Sequence, residues 1–244
     1  MSTNNRRALI VELGVVDYET GLKIQYELHH LRQKGAVEDT LILLEHSPVI
    51  TLGRRADKRN LLVSEQELTR RGIALYKTER GGDITYHGPG QLVGYLIFRL
   101  NQSNIGVRRF VEKIEEALIL TVRNFGVKAT IKPKQIGIWV EEKKVASIGI
   151  AVREGITLHG FAINVKKDLS GFYLINPCGL NASQITALEE LKGEKIAMSD
   201  VRQAIINSFT NVFGLTFHKN LPRSLTSLTN LASSSLIASA SLSE

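Results

Sequence analysis

The chain has 244 residues, 43% of them hydrophobic and 23% charged, with a formal net charge of +7 and a single cysteine. This is the composition of a globular protein of one large or two small domains, and it excludes an internal disulfide and a multi-cysteine zinc site. No apolar run reaches the roughly 18 residues of a membrane span, and the polar N-terminus leads into an apolar run broken at Glu12, so neither a span nor a secretory signal is expected and the setting is read as reducing and cytoplasmic.

Ala8 to Leu13 reads as a first strand. Tyr18 to Lys34 carries Leu22, Ile24, Leu28 and Leu31 at helical spacing, with Gly35 as its stop. Leu41 to Leu44 is a continuous apolar strand, and Glu45-His46-Ser47-Pro48 turns the chain into a second one at Val49 to Leu52. Ser64-Glu65-Gln66-Glu67 matches a capping box that opens a short helix ending at Gly72, and Ile73 to Thr78 alternates as a strand. Residues 80–91 hold four glycines and a proline among Arg80, Asp83, Thr85, Tyr86, His87 and Gln91, which predicts a ligand-contacting loop. Leu92 to Leu100 returns as a strand. Val107 to Phe125 has the strongest helical period, capped by Gly126. Three strands joined by tight turns follow, at 136–140, 144–152 and 156–165, and read as hairpins. Residues 166–184 lack periodicity, a length of loop that is usually functional or disordered. A short helix is expected at Ala187 to Leu191 and a better-marked one at Ser199 to Phe213, with Val201, Ile205, Phe209 and Val212 on one stripe and Gly214 after it. From 221 the chain turns to Ser, Leu, Thr and Ala, a low-complexity tail expected to be poorly ordered after one domain over 1–220. The mixture of hairpins and long helices argues α+β.

Cys178 lies in the aperiodic stretch between Pro177 and Gly179. As a lone cysteine it is either a small buried hydrophobe or a nucleophile. A free thiol, with a pKa of about 8.5, is only a few per cent ionised at pH 7 and needs a cation or base beside it. Lys144 opens a strand on which it shares a face with Ala146 and Ile148, so it is either a solvated hairpin-tip lysine or one aimed into a pocket. His159-Gly160-Phe161-Ala162 sets two small residues beside an aromatic, which suits a slender apolar ligand. The histidines lack metal-ligand spacing, and no metal is expected. Residues 80–91 match neither a phosphate loop nor a dinucleotide fingerprint, since a strand follows. The basic residues come in scattered pairs, as at Arg54-Arg55, Arg70-Arg71 and Arg108-Arg109, with no docking motif for nucleic acid. An acidic protein partner and plain solubility are the two uses left for the charge.

Taken in order, Leu43-Leu44-Glu45-His46-Ser47-Pro48, Thr51-Leu52-Gly53-Arg54, Arg80-Gly81-Gly82, Thr85-Tyr86-His87-Gly88-Pro89-Gly90-Gln91, Lys144-Val145-Ala146-Ser147-Ile148-Gly149, His159-Gly160-Phe161-Ala162-Ile163-Asn164 and Pro177-Cys178-Gly179 resemble the lipoyl(octanoyl) transferase family. The resemblance spans roughly residues 8–215. It implies the fold of biotin and lipoate protein ligases, a mixed main sheet packed by helices with a smaller second sheet. It implies Cys178 as the acyl-accepting nucleophile with Lys144 as its partner. It implies substrate contacts from Arg80, Gly81, Gly82, Asp83, Ile84, Thr85, Tyr86 and His87, from Ser147, Ile148 and Gly149, and from Gly160, Phe161 and Ala162. The implied donor is octanoyl-acyl carrier protein. The implied acceptors are lipoyl domains of 2-oxoacid dehydrogenase complexes and the glycine cleavage H protein, in lipoate biosynthesis. No cofactor, nucleic acid or membrane is implied, and a monomer is the expected state.

The chemistry expected of such a site is a cysteine thioester passed on to a lysine amine. The oxyanion would be held by backbone N–H groups near Gly149 or Gly179. Each buried methylene of an acyl chain contributes roughly 0.8 kcal/mol, so chain-length preference is expected to be leaky. Three rival readings are an ATP-dependent lipoate or biotin ligase, an octanoyl amidotransferase and a non-catalytic acyl-binding module. Lys144 fits a ligase equally well, whereas an adenylating ligase has no use for Cys178.

Overall fold

The computed structural model describes residues 6–103 and 105–220. The expected tail at 221–244 lies outside the described residues. The strands, in chain order, are β1 (Arg6–Val16), β2 (Thr40–His46), β3 (Val49–Leu52), β4 (Ala74–Lys77), β5 (Ile84–His87), β6 (Gln91–Ile97), β7 (Thr130–Lys132), β8 (Gln135–Val140), β9 (Lys143–Arg153), β10 (Ile156–Asn164) and β11 (Leu215–His218). The helices are α1 (Tyr18–Gln33), α2 (Glu65–Arg70), α3 (Leu100–Ser103), α4 (Val107–Arg123), α5 (Leu188–Lys192) and α6 (Met198–Phe213). Among the described residues, eight strands form one mixed sheet in the order β11-β1-β2-β6-β10-β9-β8-β7, and β4-β3-β5 form a small second sheet. The α+β architecture is therefore the expected one.

β2 is apolar without a break from Leu41 to Leu44 because both its faces are covered there. Leu41 and Leu43 enter the core beneath α4 and α6, while Ile42 and Leu44 enter the core beneath α1. α1 buries Ile24 and Leu28 but also Gln25, His29 and Arg32, so its buried face reads as only weakly amphipathic in sequence. Gln25 accepts the backbone N–H of His159, and Arg32 pairs with the buried Asp39 at 2.8 Å. Ser64 caps α2 by accepting from the Glu67 N–H, and Glu67's carboxylate is taken by Arg70 and Arg71. Both α5 and α6 stop at left-handed glycines, Gly193 and Gly214.

Two expectations need correcting, and two further strands join the main sheet. The strand expected over Leu92 to Leu100 ends at Ile97; beyond it Arg99 makes an isolated bridge to Ile156, the Leu100 N–H reaches Gly155 O in the β9–β10 turn, and the chain turns into α3. β7 and β11, at three and four residues, are too short for a sequence pattern and form only by pairing with β8 and β1. The 80–91 segment is more than a loop, since β5 lies inside it and pairs with β3 in the small sheet. Among the described residues, no helix is long and apolar enough to cross a membrane.

Candidate active site

A cleft of about 1160 Å³ opens where β9 and β10 meet the turn at 80–83, the turn carrying Cys178, the β7–β8 hairpin and one face of α4. Cys178 and Lys144 both line it. They come together because the loop between them in space is pinned at both ends. At one end the Asn176 N–H donates to Asn60 O at 2.8 Å. At the other, Ile185 bridges to Lys144 and the Thr186 N–H donates to Lys144 O at 3.0 Å.

Pro177-Cys178-Gly179 forms a single 3-10 turn. Cys178 takes φ 55° and ψ 33°, the left-handed region that a side chain other than glycine's rarely occupies and that concentrates at functional sites. The thiol-bearing residue is exposed to the cleft. The Gly179 N–H donates to Asn176 O at 3.2 Å, and Gly149, the other glycine considered for an oxyanion, pairs with Gly160 in the β9–β10 ladder.

Lys144 is 6% exposed. Its Nζ donates to Ile136 O at 2.9 Å and lies 5.0 Å from the centre of the Trp139 ring. The β8–β9 register slips between Ile138 and Trp139, so that Trp139 faces Lys144 while Ile138 faces Ala146, with Val145 as the extra residue. The bulge breaks the simple alternation expected of Lys144, Ala146 and Ile148, because Val145 and Ala146 both enter the main core. Burial pushes the Lys144 ammonium below the ordinary lysine pKa, and Cys178 and then Glu115 oppose that shift.

A second buried cation faces the same space. Arg80 donates to Thr51 O at 2.7 Å, to Thr51 Oγ1 at 2.9 Å and to Gly81 O at 3.1 Å, all neutral acceptors. It interacts electrostatically with Cys178, as Lys144 does. The Gly81 N–H donates to Ile150 O at 2.9 Å, which lays the glycine turn on β9. Gly149 permits this approach, since a Cβ there would lie 2.8 Å from Gly81 O.

Most of the residues singled out in sequence meet at this cleft: Arg80, Gly81, Gly82, Asp83, Thr85, His87, Ser147, Ile148, Gly149, Gly160, Phe161 and Ala162 all line it. Ile84 and Tyr86 depart from the expectation. They alternate with Thr85 and His87 on β5, so their side chains point to the opposite face. Ile84 is fully buried in the small-sheet core, and the Tyr86 ring packs edge-on against Phe172. Phe161 offers the cleft less than its aromatic suggested, because its ring stacks on Phe209 in the main core. His159, at the head of the motif read as suiting an apolar ligand, lines the cleft too, and so do Tyr18, Tyr95, Glu115 and Trp139, which were not singled out as contacts. Glu115 carried a legible signal, a carboxylate four residues after Val111 on the apolar stripe of α4.

Three histidines stand at or behind the cleft floor. The His46 Nδ1–H donates to Val16 O at 2.8 Å, which leaves Nε2 to accept the Tyr95 hydroxyl. The amide nitrogen of Gln91 donates to Asn164 Oδ1 and Tyr86 O, so its oxygen accepts from His87 Nδ1–H. His159 hydrogen-bonds the Thr78 hydroxyl at 3.3 Å from a left-handed backbone, φ 59°. Burial is the leading cause that lowers all three, His46 to about 4 and His87 and His159 to about 3, from 6.5. Their folded-state values lie below the unfolded one. The stability they contribute is therefore present above pH 6.5 and is lost as pH falls through the folded values. Between these limits each histidine lowers stability by up to roughly 1.4 kcal/mol per pH unit. Urea midpoints compared at about pH 7 and about pH 5 should fall on acidification, and equal midpoints would refute buried neutral histidines.

Residues 17–210 match the family model described as the lipoyl protein ligase A/B catalytic domain. The chain is 46% identical over 205 residues to an octanoyltransferase of Alkaliphilus metalliredigens, covering 84% of this chain and 94% of that protein. It is 45% identical over 207 residues to an octanoyltransferase of Caldicellulosiruptor saccharolyticus, covering 84% and 88%. Among solved structures, a lipoate-protein ligase A bound with ATP superposes with TM-score 0.73 at 19% identity, over 93% of each chain. A bipartite lipoate protein ligase from Thermoplasma acidophilum, described with its E2 lipoyl domain, does so with TM-score 0.73 at 17% identity, over 93% of this chain and 91% of that one. At those identities the likeness is one of fold.

Proposed function

The chain belongs to the lipoyl protein ligase A/B catalytic domain family, and from that premise we propose that it is an octanoyltransferase of lipoate biosynthesis whose catalytic domain is residues 1–220. It is an acyltransferase, and its donor is octanoyl-acyl carrier protein. Its acceptors are lysines of lipoyl domains, in 2-oxoacid dehydrogenase complexes and the glycine cleavage H protein. A lipoyl group presented in the same way is a second acyl cargo. The observation that carries this reading is one exposed cysteine on a left-handed turn in the same cleft as a buried lysine, in a chain 46% identical to an octanoyltransferase.

In the first step the Cys178 thiolate attacks the octanoyl thioester carbonyl. A tetrahedral intermediate forms, the bond to the carrier sulfur breaks, and the carrier leaves as a thiol after taking a proton from Lys144. One thioester replaces another, so the step is nearly balanced in free energy. In the second step the acceptor amine attacks the Cys178 thioester. Its proton passes to Lys144, the amide forms, and Cys178 leaves as thiolate. Replacing a thioester by an amide is downhill, so the chemistry calls for neither ATP nor a cofactor. Val93, Gly160 and Ala162, backed by the neutral rings of Tyr95 and His159, supply a low-polarity floor for the acyl chain.

The test is direct. The protein is incubated with octanoyl-acyl carrier protein in the absence of ATP, and its intact mass is measured. A gain of one octanoyl group that is discharged by a lipoyl-domain acceptor is the expected result. No adduct, with turnover appearing only on addition of ATP and free octanoate, would instead identify an adenylating ligase.

A further inference from the structure

Lys144 is held by the backbone of β8. The peptide unit joining Ile136 to Gly137 stands between the lysine and a carboxylate. Its carbonyl accepts from Lys144 Nζ at 2.9 Å, and its N–H donates to Glu115 Oε1 at 3.2 Å. Glu115 projects from the middle of α4, is 9% exposed and lines the cleft. The backbone is shaped to pass between the two side chains. Gly137 has φ 128°, and a Cβ there would lie 2.5 Å from Ala146 O and 3.0 Å from Lys144 Cε.

We propose that Glu115 is a positioning residue for acyl transfer: through the 136–137 peptide unit it aims Lys144 and supplies the counter-charge that remains once Cys178 is acylated. In the free enzyme the ammonium faces two groups able to be anionic, Cys178 and Glu115. Thioester formation removes the first, and Glu115 is then the carboxylate left to it. The other charged groups packed around Lys144 are already engaged. Glu112, on α4, binds Arg108 and Arg109. Lys132, from β7, lies 4.6 Å from the centre of the same Trp139 ring and pairs with Glu142. The neighbouring Lys143 pairs with Glu190, and Arg80 contributes a second cation across the cleft. The Glu115 carboxyl is raised, by burial first and also by the Glu112 charge, while the Gly137 N–H and then Lys144 oppose the shift. In the acyl-enzyme Lys144 must be neutral to take the proton of the attacking amine. The charge on Glu115 therefore sets the pH at which it becomes a base.

This inference rests on the reading of Lys144 as the proton-transfer partner of Cys178. The experiment is single-turnover transfer from the octanoylated enzyme to a lipoyl domain, followed against pH for the wild type and Glu115→Gln. Glutamine keeps an oxygen for the Gly137 N–H and removes the charge. Without a nearby anion the ammonium gives up its proton more readily, so the acidic limb should move to lower pH, by about half to one unit. The acceptor amine titrates identically with both enzymes and cancels in the ratio of their rates. A limb that stays in place, or moves to higher pH, overturns the proposal, because a merely structural Glu115 would change thermal stability and leave the limb alone. If the glutamine variant does not fold, Glu115→Asp answers the same question. It draws the carboxylate back by one methylene, and the limb should move part of the way down; an unmoved limb again overturns the proposal. Lys144→Ala separates the two levels. If it transfers at the wild-type rate, the reading of Lys144 itself falls. If it is slow while the Glu115→Gln limb is unmoved, only the role of Glu115 falls.

Discussion

Cys178→Ser is expected to abolish the octanoyl adduct and to lower turnover by roughly a thousandfold or more, the scale seen when a catalytic nucleophile is removed. Serine is nearly the same size, but its hydroxyl is far less acidic than a thiol, and a lysine alone does not ionise it at neutral pH. The turn should survive the change. Its geometry comes from Asn176 N–H to Asn60 O and Leu180 N–H to Pro177 O, neither of which involves the sulfur. Since Cys178 is exposed, thermal stability should move little. Intact mass after incubation with octanoyl-acyl carrier protein decides the matter. A serine variant that still turns over at the wild-type rate would mean that the acyl group never rests on residue 178.

Lys144→Ala is expected to slow transfer by more than a hundredfold, the lower end of what a positioned proton-transfer group contributes. Electrostatic activation alone would not account for that. For a thiol in general, lowering the pKa by two units raises the thiolate fraction at neutral pH roughly 25-fold. A Brønsted slope of about 0.4–0.5 then takes back roughly 6–10-fold in intrinsic reactivity, so the net gain is only a few-fold. Lys144→Arg separates the two effects. Arginine keeps a positive charge but does not release its proton, so it should be nearly as slow as alanine if proton transfer dominates. The alanine variant also leaves Ile136 O without its donor, at a cost of about 1 kcal/mol, which a melting curve would register. Near-wild-type turnover of Lys144→Ala across the pH range would remove the lysine from the mechanism.

Local patterns were legible wherever burial follows the period of the element. The apolar stripe of α4 is buried as its spacing implied, through Phe110, Ile114, Leu118 and Val122. The unbroken apolar run of β2 reflects burial on two faces. Patterns failed where pairing with distant chain overrode them. Thr85 and His87 were separable from Ile84 and Tyr86 only once 84–87 was known to be a strand, and four residues rich in polar side chains beside glycines do not announce one. Phe161 belonged to a motif that suggested ligand contact, but its ring is claimed by Phe209 from α6. Glu115 carried a local signal as a carboxylate on the apolar stripe of α4, but nothing local placed Gly137 against it.

The sequence by itself determined the chemistry available and the ends of most elements. A lone cysteine between proline and glycine, a lysine heading a small-residue strand, and helices closed by glycine are properties of neighbouring residues, and nearest-neighbour physics reads them. Only the tertiary structure decided that Cys178 and Lys144 share one cleft. Their meeting depends on backbone contacts between segments far apart in the chain, Asn60 with Asn176 and Lys144 with Ile185 and Thr186. It depends too on a β-bulge at Val145 that re-aims the lysine. Such contacts carry almost no local signature, because a backbone N–H and C=O are the same in every residue that supplies them.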